Sequence, residues 1–370
     1  MYVSKVGLVD FRSYSDVVVE LGAGVTTLVG RNGVGKTNVV EAIGYASGLS
    51  SHRVATDAPL IRSGAERSLV RVEVQRDSRA QLIEIEITPG KANRARLNRN
   101  VVSRARDVVG VLRTVMFAPE DLSLVKGDPA ERRRFLDDLV SLQQPRLSGV
   151  KADYDRILKQ RNSLLKSAMS SRGSSDILST LDVWNEQLAT VGAQVLRARA
   201  QLLRELLPPA QESYRSLAPG GGELALSIAG GVLASDDAEQ QLLAAMAARR
   251  SEELARGITL VGPHRDDLVI GLGDHPAKGY ASHGESWSCA LALRLGSYHL
   301  LRRPDDGGDP VLILDDVFAE LDAGRRRCLA DMVADAEQVI VTAAVDADVP
   351  QPLRGTRLTV EPGTVTRTPQ

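Results

Sequence analysis

The apolar positions of the first ninety residues follow a strand-like alternation. Val3, Val6 and Leu8 begin it, residues 17–21 and 25–29 continue it, and 69–74 and 82–87 resume it after a gap. A glycine-rich turn follows position 29 and leads into a helical pattern over 37–50. Near Phe117 the character changes. From there to Arg256 the spacing is mostly helical, with stretches at 130–142, 151–169, 178–207 and 237–254. Two groups of turn-forming residues interrupt it, at 170–175 and 219–222, and the second leads into the more strand-like LALSIAGGV. Beyond Thr259 strands and helices alternate again, with short, fully apolar strands at 311–314 and 339–341. No internal repeat is visible, and the polar stretch 355–370 reads as a partly disordered tail. This order predicts an α/β fold of two lobes. One, 1–116 plus 257–370, is built from both chain ends; a mainly helical arm, 117–256, is inserted into it.

Composition narrows the class. At 370 residues and 43% hydrophobic, the chain is long enough for a large core. Lys and Arg (46) nearly balance Asp and Glu (47), so any nucleic-acid surface has to be a local concentration of basic residues. Cys289 and Cys328 are too few for a disulfide framework, and no Cys/His group has zinc spacing. The opening MYVSKVGLVDFRSY lacks the apolar run of a leader peptide, and no stretch reaches the roughly 18 apolar residues of a membrane helix. The expectation is a cytoplasmic protein with no membrane partner.

Chemistry enters at Gly30–Arg31–Asn32–Gly33–Val34–Gly35–Lys36–Thr37, a G-x-x-x-x-G-K-T phosphate loop between a strand pattern and a helix pattern. The glycines let the backbone curl around a phosphate chain, and the helix start presents amides to the anion. Lys36 brings a point charge to the β- and γ-phosphates of ATP, Thr37 offers a hydroxyl to Mg²⁺, and Asn38 follows on the first turn. A second half-site is expected at VLILDD, an apolar strand ending in carboxylates. Asp315 is the candidate Mg²⁺ ligand. Asp316 is the candidate general base, because a carboxylate on a metal has lost much of its basicity. The catalytic set is therefore Lys36, Asp315 and Asp316.

Lys36 and Asp315 lie more than two thirds of the chain apart. Compact nucleotide-binding domains place these elements much closer, and the wide split resembles ABC-type heads of the SMC kind. That class carries a signature turn at a helix start shortly before the second acidic strand. Residues 282–286, Ser-His-Gly-Glu-Ser, supply one, with Ser282 and Gly284 in the places that meet the γ-phosphate of another subunit's ATP. His283 and Glu285 depart from the usual pattern, and the same residues also spell an ordinary helix cap. Asp322, in AELD, falls where such heads meet across a dimer. Thr342, where many relatives of that class carry His, is a poor base and predicts slow turnover. Arg53, soon after the phosphate-loop helix, is a further nucleotide candidate, and no glutamine-loop residue is evident near Pro119 and Glu120.

Four further segments narrow the class: DFRSY at 10–14, FAPEDLSLVKGDPAERRRFLD at 117–137, GPHRDDL at 262–268 and YASHGES at 280–286. With the two nucleotide motifs, they make nearly the whole chain resemble the RecF family. The resemblance implies an SMC-like ATPase head with a short helical lobe, an ATP-dependent homodimer, and binding to duplex DNA or single-strand/duplex junctions. It also implies cooperation with RecR and RecO in loading RecA at single-strand gaps. Lys91, Arg94, Arg96, Arg99, Arg104 and Arg106 form a basic stretch without aromatics, which suits phosphate contacts rather than base stacking. Arg132, Arg133 and Arg134 read as partners of nearby acids. His264 and Arg265 fit either a loop held by internal hydrogen bonds or a contact surface. Three alternatives stay open: the ATPase subunit of a transporter, a nuclease-linked SMC-like protein, and a binding module without hydrolysis.

Overall fold

The computed structural model describes residues 1–76, 79–171, 175–302 and 308–368. Its elements are β1 (Tyr2–Phe11), β2 (Tyr14–Glu20), β3 (Gly24–Val29), α1 (Lys36–Gly48), β4 (Ser68–Arg76), β5 (Arg79–Ile87), β6 (Arg94–Leu97), β7 (Asn100–Val101) and β8 (Thr114–Phe117). Next come α2 (Leu122–Lys126), α3 (Pro129–Gln143), α4 (Leu147–Ser171), α5 (Ser175–Leu217), β9 (Leu224–Ala229), α6 (Ala238–Arg256), β10 (Asp267–Leu272), β11 (His275–Pro276) and the short α7 (Ala277–Tyr280). The chain closes with α8 (His283–Leu301), β12 (Val311–Asp315), α9 (Ala323–Val333), β13 (Gln338–Ala343), β14 (Thr356–Glu361) and β15 (Thr364–Arg367).

Two compact units result. The first comprises Met1–Val125, Pro208–Glu223 and Ala281–Gln370; the second comprises Lys126–Leu207 and Leu224–Tyr280. The boundaries drawn from the sequence pattern, 116/117 and 256/257, shift accordingly. Residues 117–125 and 208–223 fall in the first unit and 257–280 in the second. The reason for the last shift is pairing. β10 takes β9 as its antiparallel partner, Asp267 opposite Ala229 through Leu272 opposite Leu224. A strand that read as the return of the ATPase lobe is thereby committed to the arm.

The first unit holds two six-stranded sheets. One is antiparallel, in the order β2-β1-β4-β5-β6-β7, and its apolar alternation puts Val3, Val6, Leu8, Val70, Val72, Val74, Ile83 and Ile85 on a buried face. The other, β15-β14-β3-β13-β12-β8, has a parallel centre. Its strands β12 and β13 are buried at every position, as expected where both faces are covered. Helix α1 packs against strands of both sheets, and Val39, Val40, Ala42, Ile43, Tyr45 and Ala46 are fully buried. Helix α8 is likewise apolar on most sides. The stretch 355–370 is not a disordered tail: β14 runs parallel to β3, and β15 folds back on β14. Leu358 and Val360 reach the core on alternate positions, and Pro362–Gly363 makes the turn. Residues 369–370 are outside the described residues.

The second unit is helical apart from the small sheet β11-β10-β9. Tyr154, Ile157, Leu188, Leu196, Leu242 and Met246 form its core. Arg161 is fully buried there and donates to Glu253, Thr259 and Asn185. The break at 170–175 is centred on 172–174, outside the described residues. Helix α5 does not stop at Leu207 as its sequence pattern predicts. Pro208 and Pro209 remove two backbone donors, yet the helix continues to Leu217, and Ala210 lies so close to Gly296 that no Cβ fits between them.

The segment GPHRDDL is spent on this unit. His264 bonds Tyr154 Oη (2.7 Å) and Thr259 O (3.2 Å), and Arg265 donates twice to Thr259 O. Arg132 clasps Asp267 through two bonds, and Arg133 donates to the Asp266 carbonyl. The Arg132–Arg134 run is thus internally paired, with Asp138 taking Arg134 at 3.9 Å. Asp266 itself is buried, with Oδ2 3.9 Å from the Arg199 guanidinium. Burial pushes its carboxyl up to about 6, against the pull of Arg199 and Arg133. A carboxyl raised in the folded state contributes stability that is present below its ordinary value and lost as pH rises through about 6. Asp266→Asn is therefore expected to stabilise the protein by about 2 kcal/mol at pH 8 and by little at pH 4. Paired thermal unfolding of wild type and variant at the two pH values checks this; an equal difference at both removes the carboxylate as its cause.

Candidate nucleotide site

β3, β13 and β12 are parallel neighbours, so their carboxyl ends open onto one edge of the sheet, where α/β proteins place ligands. The phosphate loop leaves β3 there. Gly30 is required by packing: a Cβ would lie 2.4 Å from the Val360 carbonyl of β14. Gly35 is required by conformation and packing together, with φ +116° and the Tyr14 hydroxyl 2.8 Å from where a Cβ would sit. Arg31, Asn32 and Gly33 are exposed at the loop tip, and Val34 tucks against the core. Lys36 is 3% exposed, and its ammonium donates to Gly30 O (2.9 Å), Arg31 O (3.3 Å) and Asn32 Oδ1 (3.3 Å). The lysine thus spans the loop and points its charge at the position where phosphates would bind.

The register of β12 and β13 sets Asp315 opposite Thr342. Thr342 Oγ1 donates to Asp315 Oδ1 (2.6 Å) and accepts from the Asp316 backbone N–H (2.9 Å). Thr37 Oγ1 donates to the same Asp315 oxygen at 3.1 Å. The two motifs that the sequence separates so widely are therefore in direct contact. Burial pushes the Asp315 carboxyl up to about 6, with the two threonine hydroxyls opposing and Asp316 and Glu120 adding to the rise. A carboxylate and a hydroxyl form a hard-oxygen donor set, which suits Mg²⁺, and a cation there would relieve the cost of burying Asp315. Asp316 follows in a left-handed conformation (φ 49°), half-buried at the strand's end.

Two groups beside the site carried no signal of their own. Glu41, fully buried on α1, receives two bonds from Arg12 (2.9 and 2.6 Å), one from Ser51 and one from Arg53 (3.4 Å). Arg53 also reaches Asn38 Oδ1 at 3.2 Å, so its guanidinium is held beside the first turn of α1. Arg12 lies inside DFRSY, and the buried acid on a helix interior was the available clue. His52 is the other. Its Nε2 is buried, has no hydrogen-bond partner among the described residues, and lies 3.9 Å from Asp315 Oδ2. Burial pushes the imidazole down to about 4 while it pushes Asp315 up, so the doubly charged state is disfavoured. The contact is not an ion pair.

Ser282 caps α8. Its hydroxyl accepts from Glu285 N (3.3 Å), and its own N–H donates to Glu285 Oε2 (2.9 Å), a reciprocal capping box. Gly284 leaves room for the Arg325 guanidinium, 2.8 Å from where a Cβ would be. Arg325 in turn donates to Ser288 Oγ (2.8 Å) and pairs with Asp322, which caps α9. The signature turn and the segment after β12 are tied together by that one side chain. Glu120 is exposed, and its neighbour Asp121 is held by Arg294 at 2.6 Å. Among the described residues no group of three or more His, Cys, Asp or Glu is placed to hold a metal ion, and no helix is long and apolar enough to cross a membrane.

The family model described as the RecF/RecN/SMC N-terminal domain matches residues 2–359. The DNA replication and repair protein RecF of Streptomyces avermitilis is 58% identical over 99% of this chain and 100% of its own length. Its namesake from Kineococcus radiotolerans is 59% identical over 96% of each. Among solved structures, the recombination mediator RecF with ATP, of the RecFOR pathway, superposes with a TM-score of 0.90 at 25% identity over 100% of this chain and 98% of its own. An Smc head domain from Pyrococcus furiosus, at 16% identity and a TM-score of 0.53 over 99% of this chain and 96% of its own, shares the fold. On the family match along almost its full length, and on relatives more than half identical end to end, the chain belongs to the RecF family and has the SMC-type ATPase head fold.

Proposed function

We propose that the chain is an ATP-dependent recombination mediator, a weak DNA-associated ATPase that grips duplex or gapped DNA as an ATP-bridged homodimer and helps RecR and RecO load RecA at single-strand gaps. The observation that carries this is the similarity of 58–59% identity over nearly the whole chain to proteins named RecF, supported by the contact between Thr37 and Asp315 that would join the two halves of an ATP site. The transporter-subunit alternative is not favoured by these relatives.

Phosphates of ATP would replace the loop carbonyls and Asn32 as partners of the Lys36 ammonium. Thr37 and Asp315 would hold Mg²⁺, which supplies positive charge to the phosphates as negative charge shifts toward the leaving oxygen. Asp316 takes the proton of the attacking water as general base. Thr342 does not fill that role, because a hydroxyl is a poor base and its oxygen already accepts from the Asp316 N–H while donating to Asp315. Turnover is slow in consequence. In the dimer, Ser282 and Gly284 of each subunit face the partner's γ-phosphate. Hydrolysis removes that bridge and releases DNA. Lys91, Arg94, Arg96, Arg99 and Arg104 are exposed on and around β6 and β7, at one edge of the antiparallel sheet, and support backbone contacts to DNA.

The test is binding to duplex, single-stranded and gapped DNA at one fixed salt concentration, with and without Mg-ATP, alongside oligomer mass. An ATP-dependent dimer with tighter duplex or gapped binding, and an affinity that falls steeply with salt, is the expected result. An ATP-dependent dimer that binds no DNA in any nucleotide state would overturn the DNA role and leave the ATPase standing.

A further inference from the structure

The segment after α1 is fixed with unusual care for a surface loop. The Ser51 hydroxyl donates to Glu41 Oε1 and accepts from the backbone N–H groups of Arg53 (3.0 Å) and Val54 (3.3 Å). Glu41, fully buried, is held in turn by Arg12. Between these anchors His52 has little freedom, and its ring is aimed at the acidic end of β12. Asp315 Oδ1 is taken by Thr37 and Thr342, and Oδ2 is the oxygen that faces His52.

The separation of 3.9 Å is too long for a direct hydrogen bond. Nε2 is closed to solvent in this structure, so one water serving both atoms would enter together with the cation. A water about 2.8 Å from each would see them at an angle of about 90°, close to the angle between its own two hydrogens. Such a water uses both hydrogens on the protein and keeps its lone pairs for a cation. The imidazole Nε2, buried and without a partner among the described residues, is placed to receive one of those hydrogens. Leaving that nitrogen buried and unpartnered costs stability, a cost that bound metal and its water would relieve.

We propose that His52 is a positioning residue for the Mg²⁺ of the nucleotide site: its Nε2 accepts a hydrogen bond from a water of the coordination sphere beside Asp315. This rests on the ATP-site assignment made above. It differs from that assignment in making the metal, rather than the nucleotide, depend on the loop after α1. The ring acts through the water and touches neither the phosphates nor the attacking oxygen.

The experiment uses the full chain and a fluorescent ATP analogue, titrated with Mg²⁺ and separately in EDTA. His52→Leu removes the acceptor and keeps an apolar side chain of similar reach; His52→Gln keeps an amide carbonyl. The Mg²⁺ concentration for half-maximal tight nucleotide binding is expected to rise about tenfold in His52→Leu and to stay within about threefold of wild type in His52→Gln. Nucleotide affinity in EDTA is expected to be unchanged, and the nucleotide-free melting temperature of His52→Leu to be equal or higher, since a buried unpartnered nitrogen has been removed. An unchanged Mg²⁺ requirement in His52→Leu overturns the proposal. So does an equal loss with and without Mg²⁺, or a lowered melting temperature, either of which marks His52 as a structural support for the loop. Failure of the wild type to bind the analogue at all would instead count against the ATP site itself.

Discussion

Asp316→Asn is expected to bind Mg-ATP and dimerise but to hydrolyse about a thousandfold more slowly, so that ATP-bound dimers accumulate. The magnitude is that of a lost general base, on the order of 10²–10⁴ in rate. The substitution suits the backbone, because Asp316 is in the left-handed region (φ 49°) and Asn is one of the few side chains that accept it. Its main-chain N–H still donates to Thr342, so the strand end keeps its shape. Asp316 is one of the charges that raise the Asp315 carboxyl, and removing it lets Asp315 ionise more readily rather than less. Metal binding is thereby preserved while proton abstraction is lost. Single-turnover hydrolysis, with the dimer's dissociation followed by mass or light scattering, separates the two. Near-wild-type hydrolysis with prompt dissociation would place the base elsewhere.

The second large effect is at Lys36. Lys36→Met is expected to weaken ATP binding about a hundredfold and to abolish the ATP-dependent dimer. A charged hydrogen bond to phosphate contributes about 3 kcal/mol, and no other ammonium is built into the loop. The nucleotide-free fold should survive. Lys36 is nearly buried and its present partners are uncharged carbonyls and an amide, so an apolar chain of similar length exchanges three hydrogen bonds for relief from burying a cation. Calorimetric titration with Mg-ATP and a melting curve without nucleotide test both halves. Unimpaired binding with an intact fold would mean that the phosphates do not meet this lysine.

The arm's loop motif shows why some residues left two readings open. His264 and Arg265 carry the side chains of a contact surface, yet their hydrogen bonds go to Tyr154 and Thr259. A polar residue's type states what it can bond, and only the fold decides which partner is within 3 Å. His52 is the converse case. In sequence it is one polar residue in a polar loop; it becomes informative when Glu41 and Ser51 hold it against Asp315 with no hydrogen-bond partner for its Nε2 among the described residues.

What the sequence by itself determined were the local features. A phosphate loop needs particular residue types at fixed spacing, and an apolar strand ending in two carboxylates is complete within six residues, so Gly30–Thr37 and Asp315–Asp316 were legible without a structure. The alternation of β1, β2, β4 and β5 was legible for the same reason, since one face of each strand is buried. The tertiary structure decided everything that depends on pairing between distant segments. β10 reads as part of the ATPase lobe until β9 claims it for the arm. The polar alternation of 356–367 reads as a tail until β3 offers an edge, and α5 reads as ended at Pro208 until Gly296 offers a place to pack. Strand pairing and close helix approach are contacts between segments far apart in the chain, and their free energy exists only once both partners are in place.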